Sequence, residues 1–110
     1  MTATDTADIV PAIDTKAEGH ATASLATGDL SLASAALMRA LERHAADIAG
    51  ETEVSLVSVS FDMTGEAFSG GEIEIKSSVD RQTRSLLFMH AYAAHGSTTL
   101  IKATAIFRLS

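Results

Sequence analysis

Two carboxylates in the sequence, Asp29 and Glu42, lie near features that could use them in catalysis. Asp29 comes directly before a segment of helical periodicity, so the free amides of residues 30–33 follow it. A carboxylate can activate water as a general base, and amides at a helix N-terminus can hold a developing oxyanion. Asp29 and these amides could therefore supply the ingredients for attack on a carbonyl. The same position also suits a residue that only caps the helix.

Glu42 and His44 lie in the second half of the same helical segment. Glu42 is at the border of the apolar stripe, where it could reach a cleft or pair in solvent with Arg39 or Arg43. His44 is on the stripe itself, seven residues after Leu37. We consider two roles for His44: a ligand-binding residue, or a buried neutral histidine with one hydrogen-bond partner.

The remaining candidates are two arginines and two histidines. Arg81 and Arg84 flank a predicted strand turn, where their forked cationic side chains could bind phosphate groups or could simply be solvated. His90 and His95 are five residues apart on one predicted strand, so they point to opposite faces. The sequence contains no cysteine. It therefore predicts no metal site, and it contains no pattern that calls for a cofactor.

One long helix, predicted over residues 32–48, would position these side chains. Apolar residues recur there at three- and four-residue steps, and the charged residues lie largely outside that stripe. The residues before the helix, 27–31, are typical of a turn in which Asp29 or Ser31 caps the first helical turn. Gly50 is predicted to end the helix.

A modest strand is predicted before the helix, over residues 17–27, and four longer strands after it. The four are alternating apolar runs separated by short turns, over residues 53–63, 72–79, 84–95 and 98–109. Between residues 86 and 94 both faces are apolar or aromatic, which predicts a central strand that is covered on both sides.

The first long strand carries a specific prediction about its pairing. Its buried face is expected to consist of Val57, Val59, Phe61 and Met63. Because Val54 and Leu56 fall on the opposite phase, a bulge near Leu56 or Val57 is predicted to reconcile the two halves.

Length and charge restrict the classes of protein that fit. The 110 residues make one domain, predicted as a flexible tail over residues 1–16 and a single folded unit over residues 17–110. The net charge is −6 and the eight Lys and Arg are scattered, so no nucleic-acid partner is expected. No apolar run approaches the roughly 18 residues of a membrane span, and the N-terminus does not read as a secretory signal. These features predict a cytoplasmic protein without a membrane partner.

The order of these elements resembles the hotdog fold, in which an antiparallel sheet wraps one long central helix, here with five predicted strands (α+β). Three segments are similar to the acyl-CoA thioesterase and dehydratase superfamily of that fold. They are residues 18–25, residues 59–75 with their glycine turn, and residues 79–86, where the family often has a basic residue followed by Ser or Thr. The resemblance covers roughly residues 17–109. It implies a homodimer or homotetramer with sheets joined edge to edge.

The resemblance also implies a function, an acyl-CoA or acyl-carrier thioester hydrolase whose substrate binds at a subunit interface. Asp29 and Glu42 would then be the catalytic carboxylates, and His44, Arg81 and Arg84 would bind substrate. The chain departs from the family because it lacks the His-Gly-Gly turn before the helix and has no carboxylate between Leu32 and Leu41. Two alternatives therefore stay open. One is a non-catalytic acyl-binding or assembly module of the same fold, and the other is a cystatin-like α+β domain.

Overall fold

A six-stranded antiparallel sheet packs against one long helix in the computed structural model, which describes residues 11–110. The elements follow in chain order: β1 Asp14–Ala17, β2 His20–Leu25, α1 Leu30–Ala49, β3 Val54–Met63, β4 Gly71–Gln82, β5 Leu86–His95 and β6 Thr98–Leu109. The strand order across the sheet is β1-β2-β4-β5-β6-β3. The short β1 and the long β3 are therefore the two edges.

The prediction of five strands was wrong by one. Strand β1 was not predicted, and residues 14–16 of it fall in the segment predicted as a tail. All four residues of β1 are exposed, so no apolar alternation marks them as a strand. Backbone pairing with β2 forms β1, and a register shift between Thr15 and Ala17 interrupts that pairing. Residues 1–10, the rest of the predicted tail, lie outside the described part of the chain.

Helix α1 begins and ends as its terminal residues predict. Asp29 is the N-cap, and Gly50 ends the helix with a positive φ of 63°, donating its amide to the Ala46 carbonyl at 3.1 Å. The helix runs from the end of the sheet where β2 finishes to the end where β3 starts. Its buried face is built mainly from alanine and leucine, which lets the backbone lie close to the sheet.

The core lies between α1 and the inner face of the sheet. Its largest buried side chains come from the helix and from β4, β5 and β6: Leu37, Leu41, Ile73, Ile75, Leu87, Met89, Leu100, Ile101 and Phe107. The two polar residues buried among the described residues are His44 and Ser77. In β6 the buried residues Ile101, Ala103, Ala105 and Phe107 alternate with less buried ones, as expected for the predicted alternating run over residues 98–109.

Strand β3 contains the predicted bulge but is more exposed than predicted. Its register with β6 shifts between Leu56 and Ser58, which confirms the bulge at Val57. The prediction that Val57 and Met63 are buried was wrong, because they are 51% and 50% exposed. As an edge strand, β3 has a neighbour on one side only. The alternating apolar residues of β3 therefore form an apolar face, and the rest of the chain covers that face only in part.

Strand β5 lies in the middle of the sheet, but only one of its faces is covered within the chain. Leu87, Met89 and Ala91 are buried against α1. On the outer face Phe88 and Tyr92 are partly buried by their neighbours and His90 is exposed. The chain itself covers one face of β5, and the predicted cover of the other face stays a prediction.

Candidate functional site

Asp29 caps the N-terminus of α1. Its Oδ1 accepts hydrogen bonds from the Ser31 hydroxyl at 2.7 Å and from the Ser31 amide at 2.9 Å. These bonds, the hydroxyl first and the amide second, hold the pKa of the Asp29 carboxyl below its ordinary value. An exposed carboxylate that already accepts two hydrogen bonds is a weaker base. This geometry matches the capping role that the sequence allowed.

The loop between β3 and β4, residues 64–70, packs against the turn before α1. A Cβ at Gly28 would lie 1.9 Å from the Phe68 carbonyl oxygen, so only glycine permits this approach. The Phe68 ring contacts the His95 ring edge-on, with centroids 5.3 Å apart. His95 is in turn hydrogen-bonded through Nδ1 to the Glu72 carbonyl at 2.8 Å. The loop is thus held against the helix N-terminus by contacts from both sides.

Glu42 lies in the second half of α1 and is exposed. It forms no hydrogen bond or ion pair with any of residues 11–110, and its neighbour Arg43 pairs instead with Asp47 at 3.2 Å. Thirteen residues separate Glu42 from Asp29, which corresponds to about 20 Å along a helix. The two predicted catalytic carboxylates are therefore too far apart in one chain to act on the same atom.

His44 is buried between α1 and β4. Its Nδ1 shares a 2.6 Å hydrogen bond with Ser77 Oγ, and its Nε2 lies 4.0 Å from Glu18 Oε1. The cavity beside it has a volume of about 10 Å³, roughly that of one water. This geometry agrees with a buried histidine that has one partner. A substrate-binding role for His44 remains a prediction, and it would require this cavity to open.

Arg81 and Arg84 lie at the end of the sheet where β4 turns into β5. The Arg81 guanidinium carbon lies 6.0 Å from the centre of the Phe88 ring, and Arg84 is exposed in the turn itself. The pairing of β5 with β6 adds a third arginine, because Arg108 lies directly opposite Leu86. Three forked cations therefore surround an apolar patch at one corner of the sheet.

The structure thus brings together some of the predicted residues and separates others. Arg81 and Arg84 share one end of the sheet, His44 and Glu42 lie on the same helix but differ in burial, and Asp29 lies at the other end. Sequence reasoning missed Ser77 and Arg108. Ser77 continues the inward phase of Ile73 and Ile75, and a serine in that phase is a detectable sign of a buried polar contact. Arg108 becomes a neighbour only through strand pairing.

Within residues 11–110, no three side chains of metal-binding type come together. Among residues 11–110, no helix is both long enough and apolar enough to cross a bilayer.

Several solved structures share this architecture. A Bacillus halodurans protein solved with CoA has a TM-score of 0.74 at 10% identity, covering 89% of this chain and 71% of its own. A variant of the phenylacetic acid degradation protein PaaI from Thermus thermophilus has a TM-score of 0.73 at 12% identity, covering 93% and 95%. A variant of a thioesterase enzyme from Staphylococcus aureus has a TM-score of 0.69 at 9% identity, covering 91% and 93%.

No protein-family model and no curated protein matches the sequence. At identities of 9–12% the structural likeness shows the fold and nothing finer. It confirms the predicted resemblance at that level and does not favour the cystatin-like alternative. The chain therefore has the hotdog fold, with six strands packed against one helix.

Proposed function

We propose that the protein hydrolyses an acyl-CoA or related acyl thioester in a cleft formed between two copies of the chain. The fold that it shares with a CoA-bound protein and with a thioesterase supports this proposal. The observation that carries it is the exposed apolar surface of the edge strand β3. There, Leu56, Val57 and Met63 are 43%, 51% and 50% exposed. A second copy paired along β3 would cover this apolar surface.

Helical periodicity identifies the side of α1 that faces this cleft. Arg43 and His44 line the small cavity beside β1 and β2. At about 100° per residue, Met38 lies roughly 120° around the helix from His44, on the side away from β2. Met38, Val59 and Phe61 are partly buried and pack against the core. Their uniformly apolar surface suits an acyl chain, which has no polar group to satisfy.

Glu42 is the carboxylate that this arrangement favours for catalysis. It lies four residues after Met38, so it is on the same side of the helix, one turn further along. It is exposed, and no partner among residues 11–110 occupies it. In the proposed reaction the Glu42 carboxylate takes a proton from water as that water attacks the thioester carbonyl, and the thiolate of the carrier leaves.

Asp29 then has a positioning role. Its carboxylate is already bonded to Ser31, and its carbonyl accepts the amide of Leu32 at 3.1 Å. Antiparallel pairing of β3 with its copy reverses the direction of the partner. The N-terminal turn of one helix would then lie alongside the C-terminal half of the other, with Asp29 of one copy and Glu42 of the other beside one cleft. This is how the proposal accounts for their separation of about 20 Å within a chain.

The proposed site for the phosphate groups of coenzyme A or a related carrier is the corner of the sheet that holds Arg81, Arg84 and Arg108. Arg81, Arg84 and Arg108 have the planar, forked donors that bind phosphate oxygens in pairs. The apolar side chains of Leu86 and Phe88 lie between them in the sheet register. A carrier with phosphates and a flat base matches this mixture of charge and apolar surface.

Thiol release from short, long and aromatic acyl-CoA esters tests the proposal. The protein has no cysteine, so a thiol-reactive dye reports only the released carrier. Glu42→Gln is expected to lower kcat by about 10²- to 10⁴-fold, the range for loss of a general base. Glu51→Gln, an exposed acid just beyond the helix, is the matched control and should retain full activity.

Two results would contradict the proposal in different ways. Full activity in Glu42→Gln would exclude Glu42 as the base and leave the hydrolase itself in place. No thiol release from the whole panel, by a folded protein that still binds acyl-CoA, would instead identify a non-catalytic acyl-binding module. The engaged carboxylate of Asp29 and the absence of an acid between Leu32 and Leu41 are the features consistent with that second result.

A further inference from the structure

A shallow trough crosses the outer face of the sheet, on the side away from α1. Its volume is about 410 Å³, which falls in the range of small-molecule sites. The floor is the backbone of β5 and β6 at Ala91 and Ala103. Six side chains from three strands line it: Asp62, His90, Tyr92, Thr99, Lys102 and Thr104. Five of these six can donate a hydrogen bond, and only Asp62 cannot when ionised.

His90 is held in position at one end of the trough by Asp80. The His90 Nδ1 lies 2.5 Å from Asp80 Oδ1. A bulge in β4 makes this contact, because the register with β5 shifts between Val79 and Arg81 and adds Asp80 to the strand. The carboxylate fixes the ring through Nδ1 and leaves Nε2 without a partner among residues 11–110. Bulges that redirect a side chain in this way often occur beside functional sites.

Lys102 supplies the permanent positive charge. It lies in the middle of the trough, opposite Tyr92 on β5 and opposite Asp62 on β3. Lys102 forms no ion pair with any residue from 11 to 110, and its separation from Asp62 exceeds the 4.0 Å of a salt bridge. Its ammonium group is therefore available to a ligand, beside the hydroxyls of Tyr92 and Thr104.

We propose that this trough binds a small organic carboxylate. Lys102 would hold the carboxylate through a charge-assisted hydrogen bond, with Tyr92, Thr104 and His90 Nε2 as further donors. The remaining volume exceeds that of a bare anion and is bordered by the Tyr92 ring, so the organic part would lie against that ring. The proposal goes beyond the thioester cleft, because the trough and α1 lie on opposite faces of the sheet, and none of Arg81, Arg84 and Arg108 lines the trough.

Titration of the ¹⁵N-labelled protein with benzoate tests the proposal, with the affinity measured by calorimetry. Benzamide and benzylamine have the same ring without the negative charge and serve as ligand controls. Benzoate should shift the amides of residues 90–92 and 102–104, and benzamide should bind at least about tenfold more weakly. Inorganic phosphate, run in parallel, tells whether a bare anion is sufficient.

Three variants separate this site from a general surface effect. Lys102→Met should weaken benzoate binding about tenfold, the usual effect of losing one hydrogen bond to a charged group. Lys76→Met is the matched control, because Lys76 also lies opposite Tyr92 but on the β4 side, outside the trough. Asp62→Asn should strengthen binding, because it removes the negative charge from the lining.

The proposal is overturned by any of four results. These are no localised shifts with benzoate, equal affinity for benzamide, the same loss of affinity in Lys76→Met as in Lys102→Met, or weaker binding in Asp62→Asn. The last result, together with a preference for benzylamine, would mean that the trough selects a cation through Asp62. The first result, together with binding of phosphate, would mean that the trough binds a bare anion and not an organic carboxylate.

Discussion

His44 and Ser77 are 33 residues apart in the sequence and share a 2.6 Å hydrogen bond that joins the helix to the sheet. Both residues are buried. Gly19 packs directly against both residues. A Cβ at this position would lie 2.9 Å from His44 Cε1 and 2.7 Å from the Ser77 carbonyl oxygen, so only glycine leaves room for the contact. This polar contact therefore fixes where the second half of α1 lies on the sheet.

Removing the Ser77 hydroxyl should destabilise the protein. Ser77→Ala leaves the buried Nδ1 of His44 without its partner, which is expected to lower the free energy of unfolding by about 1–3 kcal/mol. Ser78→Ala, the next residue on the exposed face of β4, should change it by less than about 0.5 kcal/mol. Urea unfolding of both variants measures the difference. Equal stabilities would show that the hydrogen bond contributes nothing net.

Gly28 and Gly65 should respond differently to alanine. At Gly28 the new Cβ would lie 1.9 Å from the Phe68 carbonyl oxygen, so the loop over residues 64–70 has to move. At Gly65 nothing lies within 4 Å, and only the positive φ of 82° opposes alanine. Gly65→Ala should cost about 1–2 kcal/mol of backbone strain, and Gly28→Ala should cost more and loosen the loop.

Thermal unfolding and limited proteolysis of the loop compare these two glycine variants. A Gly28→Ala protein as stable as Gly65→Ala, with an equally protected loop, would mean that the loop adjusts without strain.

The sequence predicts those parts of the fold whose residues carry their own pattern. The apolar stripe, Asp29 and Gly50 predict the helix to within two residues of its observed ends. The break in phase at Leu56 predicts the β3 bulge. Strand β1 has no such pattern, since all four of its residues are exposed. It exists because its backbone pairs with β2.

Burial on β3 and β5, and much of the candidate site, depend on strand order. Alternation shows which residues share a face, but not whether the strand is at an edge, and so Val57 and Met63 were predicted to be buried. The same limit applies to the site. The partnership of His44 with Ser77 and the position of Arg108 opposite Leu86 both follow from the register of the sheet. No local pattern in the sequence contains that register.

The Asp29 cap should make helix stability depend on pH. Its pKa in the folded protein is lowered from the ordinary 3.8, so its contribution to stability is complete above that value and is lost as the pH falls through the lower folded value. The stability difference between wild type and Asp29→Ala should therefore shrink as the pH drops below about 4.

Carbon-13 NMR titration of the Asp29 carboxyl tests the cause. In Ser31→Ala the pKa should rise towards its ordinary value, because the hydroxyl that contributes most to the shift is gone. Ser34→Ala is the control, since the Ser34 hydroxyl donates to the Leu30 carbonyl and not to Asp29. A titration unchanged by Ser31→Ala would contradict the assignment.

Strand β3 should join two copies of the chain. Natural edge strands are commonly guarded by lysine, proline or a short length. Strand β3 has ten residues, its one charged residue is Asp62, and Val57 is 51% exposed. Val57→Lys places a positive charge on both copies where they would pair, so it should give a monomer by light scattering. Val79→Lys, a comparable change at an exposed valine of the interior strand β4, should keep the wild-type mass.

If the proposed cleft needs both copies, the Val57→Lys monomer should also lose thioester hydrolysis while it stays folded. A fully active monomer would show that the site is complete within one chain, and a wild-type protein that is monomeric at micromolar concentration would rule out this interface.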